Sequence, residues 1–198
     1  SIDGAGGTDT INLTNTEAAV PNAATITNVE NMVYRSTDTT NASDFAMGSF
    51  PSVTNITLDR PAVNVDVGGL DTTDTVTLLN LLATTDTTIT YTTASGLATT
   101  LATAGDATSV TINGSTAGAD VQFAGDIEAF TLVTTAATSL ADLVFDGGTT
   151  SIVMDSGAAT TVATTWTAAA ATSLTINGAG KTTITPDLAA VTVTIDAS

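Results

Sequence analysis

The chain contains no cysteine and no histidine. Without Cys there are no disulfides and no thiolate chemistry, so stability must come from packing and hydrogen bonds. Without His, the commonest general base is missing, and so are the triads and imidazole metal sites built on it. Basic side chains are nearly as scarce, with only Arg35, Arg60 and Lys181. Three scattered cations cannot neutralise a row of phosphates, which excludes nucleic acid and argues against anionic lipid surfaces. Aromatic residues make up 4% of the chain. Glycosidase clefts pair two carboxyls beside aromatic sugar platforms, and little here could build them. Calcium-dependent polysaccharide lyases need a basic catalytic residue beside their Asp ligands, so that chemistry also fits poorly. No run of 18 apolar residues exists, and no membrane insertion is expected. The chain reads as non-catalytic.

What is present is threonine and aspartate. Of 198 residues, 46 are Thr. Hydrophobic residues reach 42%, enough for one domain with a sizeable core. Charged residues are 12%, about half the usual share. Seventeen Asp and three Glu set the net charge at −17. Most of the Asp residues stand among Gly, Thr and Asn, in turn-like contexts.

A repeat organises the sequence. Ala107-Thr108-Ser109-Val110-Thr111-Ile112-Asn113-Gly114 returns almost unchanged as Ala171-Thr172-Ser173-Leu174-Thr175-Ile176-Asn177-Gly178. Looser copies begin near Ala129 and Ser151. Each copy alternates apolar residues with Thr, the period of a strand. One apolar column runs through Ile11, Met32, Ile56, Val76, Ile89, Val110, Phe130, Ile152, Leu174 and Val193. A second runs through Leu13, Tyr34, Leu58, Leu78, Tyr91, Ile112, Leu132, Met154, Ile176 and Ile195. Thr lies between them in most copies, a single outward rank. A fixed period of about 21 residues predicts an all-β parallel β-solenoid, with residues 1–198 as one module of a larger repeat protein.

A weaker second strand recurs between copies. Asp120-Val121-Gln122-Phe123 matches Asp142-Leu143-Val144-Phe145, so Leu101, Phe123, Phe145 and Trp166 are expected to stack inside. Irregular insertions are expected near 38–50 and 75–105, where the step drops to 13. Leu78 to Thr84 and Ala168 to Thr172 are the only short helix candidates.

Stacking also brings carboxylates together. Asp106 and Asp126 share a register position, as do Asp120 and Asp142. Rungs lie ~4.8 Å apart. Two carboxylates at that distance repel by about 1 kcal/mol in water and about 3–4 kcal/mol at an effective dielectric near 20. Outward splay, a raised pKa or a bound cation relieves this, and all-oxygen ligands favour Ca2+. Asn113, Asn177, Asp59, Asp155 and Asp196 follow the strand and read as corner residues whose side chains satisfy backbone groups. An ice-binding solenoid would need two exposed Thr ranks, against the single rank read here.

The Gly-rich opening, Gly4-Ala5-Gly6-Gly7-Thr8-Asp9-Thr10-Ile11-Asn12, resembles the RTX nonapeptide, with Asp9 on its Asp position and Ala5 departing from a family Gly. Gly68-Gly69-Leu70-Asp71-Thr72-Thr73-Asp74-Thr75-Val76 is a degenerate echo. Together with Ile26-Thr27-Asn28-Val29-Glu30-Asn31-Met32 and the Thr-rich, Cys-free repeats, these segments resemble RTX-type secreted surface-layer (S-layer) proteins of Gram-negative bacteria. The resemblance implies export, calcium-dependent folding and assembly at the cell surface, through self-association into a lattice or within a larger parent chain. It adds Asp9, Asp71 and Asp74 to Asp106, Asp120, Asp126 and Asp142 as candidate Ca2+ ligands. Cell-surface polysaccharide is the other candidate partner. An adhesin or carbohydrate-binding stalk is the alternative function, followed by a polysaccharide-active β-helix.

Overall fold

Alternation decides where each side chain goes. In Asn31–Ser36, Met32, Tyr34 and Ser36 are buried while Asn31, Val33 and Arg35 face outward. A computed structural model describes residues 1–16, 25–38, 45–62, 65, 67–70, 74–82, 86–91, 107–115, 117–124, 127–145, 147–188 and 192–195. Nearly all regular structure is β, and every strand pair is parallel. The first sheet stacks nine strands, Thr10–Asn15, Asn31–Ser36, Asn55–Asp59, Thr75–Leu79, Ala107–Asn113, Ala129–Thr134, Ser151–Ser156, Ser173–Asn177 and Thr192–Ile195. The second stacks seven, Phe45–Ala46, Val67–Leu70, Asp86–Tyr91, Ala119–Ala124, Thr138–Val144, Thr160–Thr167 and Thr182–Ile184. Ile2–Asp3 and Ile26–Thr27 form a small third sheet. The chain alternates between the two large sheets as it advances, so the fold is a parallel β-solenoid.

Both sheets turn their apolar columns inward onto one continuous core. Met32, Ile56, Val76 and Val110 are register partners in the first sheet, as are Phe130, Ile152, Leu174 and Val193. The two series do not join as the repeat predicts. Val110 stands opposite Leu132, not Phe130. This two-residue slip keeps every inward residue inward, because the side-chain period is two. It also places Thr111 opposite Val133, and Val33 lies opposite Thr57, so outward valines interrupt the Thr rank.

Ile89 and Tyr91 were expected in the first sheet's columns. Their strand belongs to the second sheet, where Ile89 pairs with Phe123 and Val67, which explains the short 13-residue step. Asp38 to Phe50, expected as an excursion, contributes the strand Phe45–Ala46 and the 3-10 turn Met47–Ser49. Neither helix candidate is helical over its described residues. Leu78 and Leu79 end a strand, and Ala168 to Thr172 is a turn closed by the Ala171 N–H donating to the Ala168 carbonyl at 3.1 Å.

The aromatics make the core's centre. Phe123 lies 5.5 Å from Phe145 and 4.8 Å from Phe130, and Phe145 lies 5.4 Å from Trp166, centroid to centroid. Trp166 is backbone partner to Leu143, so its ring reaches Phe145 diagonally. Leu101 falls outside the described residues.

One corner of the interior is polar. Thr134 and Ser156 end first-sheet strands, and Thr138, Thr160 and Thr182 begin second-sheet strands in mutual register. Thr134 Oγ1 and Thr160 Oγ1 are 2.7 Å apart, and Thr182 Oγ1 donates to Ser156 Oγ at 2.8 Å. The Thr138 hydroxyl meets the Ile112 carbonyl at 3.0 Å. The backbone is tight here too. A Cβ on Gly180 would lie 2.2 Å from the Ala158 carbonyl oxygen, so the rungs approach too closely for any side chain there.

Candidate cation sites

The residue just before each first-sheet strand sits at a corner, and several of these residues are acidic. Asp9, Glu30 and Asp74 precede Thr10, Asn31 and Thr75, and Glu128 precedes Ala129. The corner is built from main chain. The Glu30 carbonyl accepts the N–H groups of Thr54 and Asn55, each at 3.0 Å. The Glu128 carbonyl accepts those of Thr150 and Ser151, each at 2.9 Å. Glu30 and Glu128 are thus equivalent corner residues on distant rungs. Their acidity places carboxylates where Thr54 and Thr150 carry hydroxyls.

At the Gly-rich opening the Glu30 carboxylate reaches the Asp9 main chain. The Asp9 N–H donates to Glu30 Oε2 at 2.9 Å. Asp9 Oδ2 is buried without a hydrogen-bond partner among the described residues. Gly4 packs against it, since a Cβ there would lie 2.8 Å from Asp9 Oδ2 and still closer to the Asn28 carbonyl oxygen. Asp3 Oδ1 accepts the Ala5 N–H at 2.9 Å and the Asn28 side-chain amide at 2.8 Å. The Ala5 N–H holds the Asp3 carboxyl below the ordinary Asp range, with the Asn28 amide second. Ala5 adopts a positive φ of 65°, and Gly7 one of 122°.

The second expected pair is also assembled. Asp120 stands opposite Asp142 on the second sheet's outer face, next to a register irregularity. Asp86 is opposite Asp120 on the other side, so three Asp residues follow one another in register. The Asp142 N–H donates to Asp120 Oδ1 at 3.1 Å. Asp142 Oδ1 is buried without a hydrogen-bond partner among the described residues.

The degenerate echo is not a second Gly turn. Gly68 and Gly69 lie within the strand Val67–Leu70, where Gly69 has φ +74° and the ladder register shifts. Asp74 is a half-buried corner residue. Asp71, Asp106 and Asp126 lie outside the described residues.

An all-protein calcium cage needs six to eight oxygens. Among the described residues no group of three or more acidic side chains converges. Asp9 with Glu30, and Asp120 with Asp142, each offer two carboxylates and one orphaned buried oxygen. Such a set fits a partly hydrated cation held by carboxylate, carbonyl and water oxygens. Glu30 and Glu128 were not singled out from sequence as ligands. Their signal is positional, an acid immediately before some of the first-sheet strands.

The corner role expected of Asn113 is present. Its Oδ1 accepts the N–H groups of Thr135 at 2.7 Å and Ala136 at 3.2 Å, and its Nδ2 donates to Thr135 Oγ1 at 2.8 Å. Asn80 Nδ2 likewise donates to Asp59 Oδ1 at 3.2 Å. Comparison finds no family model, curated protein or solved structure that matches this chain.

Proposed function

We propose that the chain is a non-catalytic structural module of a calcium-dependent bacterial surface layer or extracellular matrix protein. The observation that carries this reading is the distribution of polarity over the solenoid. Most bulky apolar side chains of the described residues are buried, a few such as Val33 and Val133 are half-buried on the outward faces, and only Ile2 and Val193 among the described residues are exposed. The outward faces are mainly hydroxyl, amide and carboxylate, with scattered valines. A stack of parallel rungs with such sides is a stiff, soluble spacer that orders other copies or other parts of its own chain. The in-register carboxylates supply the calcium dependence, because a divalent cation relieves their repulsion. Tyr34, Phe50, Phe123, Phe130, Phe145 and Trp166 are all buried, which disfavours sugar stacking on their rings.

The test compares the 198-residue chain in calcium, in chelator, and in magnesium or sodium at matched ionic strength. Light scattering and negative-stain microscopy read assembly, and thermal melting reads stability. Calcium is expected to produce ordered assemblies and to raise the melting temperature beyond both controls. A hundredfold excess over the dissociation constant stabilises by about 2.7 kcal/mol. Asp9→Asn and Asp142→Asn are expected to reduce the rise. Equal responses to all three cations would remove calcium from the reading. A monomer that binds glycans would make it an adhesin, and cleavage of an anionic polysaccharide would make it an enzyme.

A further inference from the structure

The sequence Thr-Ile-Asn-Gly occurs twice, at Thr111–Gly114 and Thr175–Gly178. Asn-Gly is the dipeptide most prone to succinimide formation, because glycine leaves its own nitrogen sterically free to attack the Asn side chain. Both copies end a first-sheet strand, and both glycines have positive φ, +71° at Gly114 and +91° at Gly178. Local sequence and backbone are therefore matched, and only the surroundings of the two amides differ.

Those surroundings differ sharply. The Asn113 amide is held by three hydrogen bonds, two N–H groups on Oδ1 and the Thr135 hydroxyl on Nδ2. Cyclisation requires the amide to rotate towards the Gly114 nitrogen and so to leave these partners. Asn177 stands opposite Asp155, half-buried, and no hydrogen bond holds its side-chain amide among the described residues. We propose that Asn177 is a site of spontaneous deamidation and isoaspartate formation, while Asn113 is protected by its clamp.

The chemistry needs only water. The deprotonated Gly178 backbone nitrogen attacks Asn177 Cγ. The Cγ–Nδ2 bond breaks and ammonia leaves, giving a succinimide. Water then opens the ring at either carbonyl, to Asp or to isoaspartate. Either product puts a second carboxylate opposite Asp155. Isoaspartate also adds a methylene to the main chain beside Gly178, where a Cβ would already lie 2.4 Å from the Ser156 carbonyl oxygen. The modification would loosen the pairing of Ser173–Asn177 with its neighbours.

The test incubates the 198-residue chain in mildly alkaline buffer at physiological temperature and follows both sites by peptide mapping that separates Asn, Asp and isoaspartate. The same incubation in denaturant gives the intrinsic rate of each site. After division by that baseline, Asn177 is expected to convert at least about tenfold faster than Asn113, which corresponds to about 1.4 kcal/mol in barrier height. Thr135→Ala removes the Nδ2 acceptor and is expected to speed conversion of Asn113 without changing Asn177. Equal rates in the native chain, faster conversion at Asn113, or no conversion at Asn177 would each overturn the proposal.

Discussion

Replacing Thr160 with valine tests the polar corner of the interior. Thr134 and Thr160 are each 2% exposed, and their hydroxyl oxygens are 2.7 Å apart. Thr160 Oγ1 also donates to the Ala158 carbonyl at 3.2 Å. A hydroxyl has one proton, so Thr134 is the donor in the pair. The two single substitutions are then unequal. Thr160→Val leaves the Thr134 hydroxyl buried with no acceptor and strips the Ala158 carbonyl, at a cost of about 1–3 kcal/mol. Thr134→Val leaves Thr160 bonded to Ala158 and costs about 0.5–1.5 kcal/mol. The double variant removes both hydroxyls and should cost less than the sum, with a coupling of about 0.5–3 kcal/mol. For a chain of this size 1 kcal/mol moves the melting temperature by roughly 2–4 °C. Urea melts read all three variants, and an unchanged slope confirms that the native and unfolded states are comparable. Strictly additive effects, or a larger loss from Thr134→Val, would refute the assigned direction of the bond.

Phe145→Ala should cost about 3–5 kcal/mol in the same assay, because the ring is 3% exposed and packs against three others; a loss below about 1 kcal/mol would show a ring that is not packed as described. Asp3 should titrate below the ordinary Asp value in a carbon-detected NMR titration. Its folded pKa is lower than its unfolded one, so its contribution to stability is present above the unfolded value and is lost as pH falls through the folded one. Asn28→Gly tolerates the positive φ of 54° and removes one of the two donors, so the Asp3 midpoint should move up but stay depressed. An unmoved midpoint would remove Asn28 from the cause.

The inward columns were legible because alternation is a local property. Met32, Ile56, Phe130, Ile152 and Leu174 needed only their neighbours in sequence to declare a face. The Asp120–Asp142 pair was legible for the same reason, from a step of 22 residues within matching strands. Ile89 was misplaced because its strand has the same Thr–apolar alternation as the first sheet, and composition does not say which sheet a strand joins. The buried hydroxyls were invisible because Thr suits either face of a strand. Thr134 inside and Thr131 outside read alike until the corner is built. Glu30 and Glu128 carry no local signal of their corner role, because it lies in their carbonyls, which hold the next rung.

Apolar columns do not fix the register of such a stack by themselves. Two residues of slip exchange one buried side chain for another and leave the faces unchanged. The step from Val110 to Leu132 shows that this freedom is used. What selects the slipped register there is directional. With Val110 opposite Leu132, Asn113 faces Thr135 and makes its three hydrogen bonds. With Val110 opposite Phe130, Asn113 would face Val133 and leave the Thr135 and Ala136 N–H groups without their acceptor. These bonds lie at an exposed corner, where each is worth about 0.5–1.5 kcal/mol, against a nearly neutral exchange of apolar partners. In the first sheet the register stays constant from Ala129 to Ile176. Along that run the Thr134–Thr160 and Ser151–Ser173 pairs, and Ser156–Thr182 just beyond it, link one rung to the next. The polar pairs set which rung faces which, and the apolar columns hold the stack together once they are set.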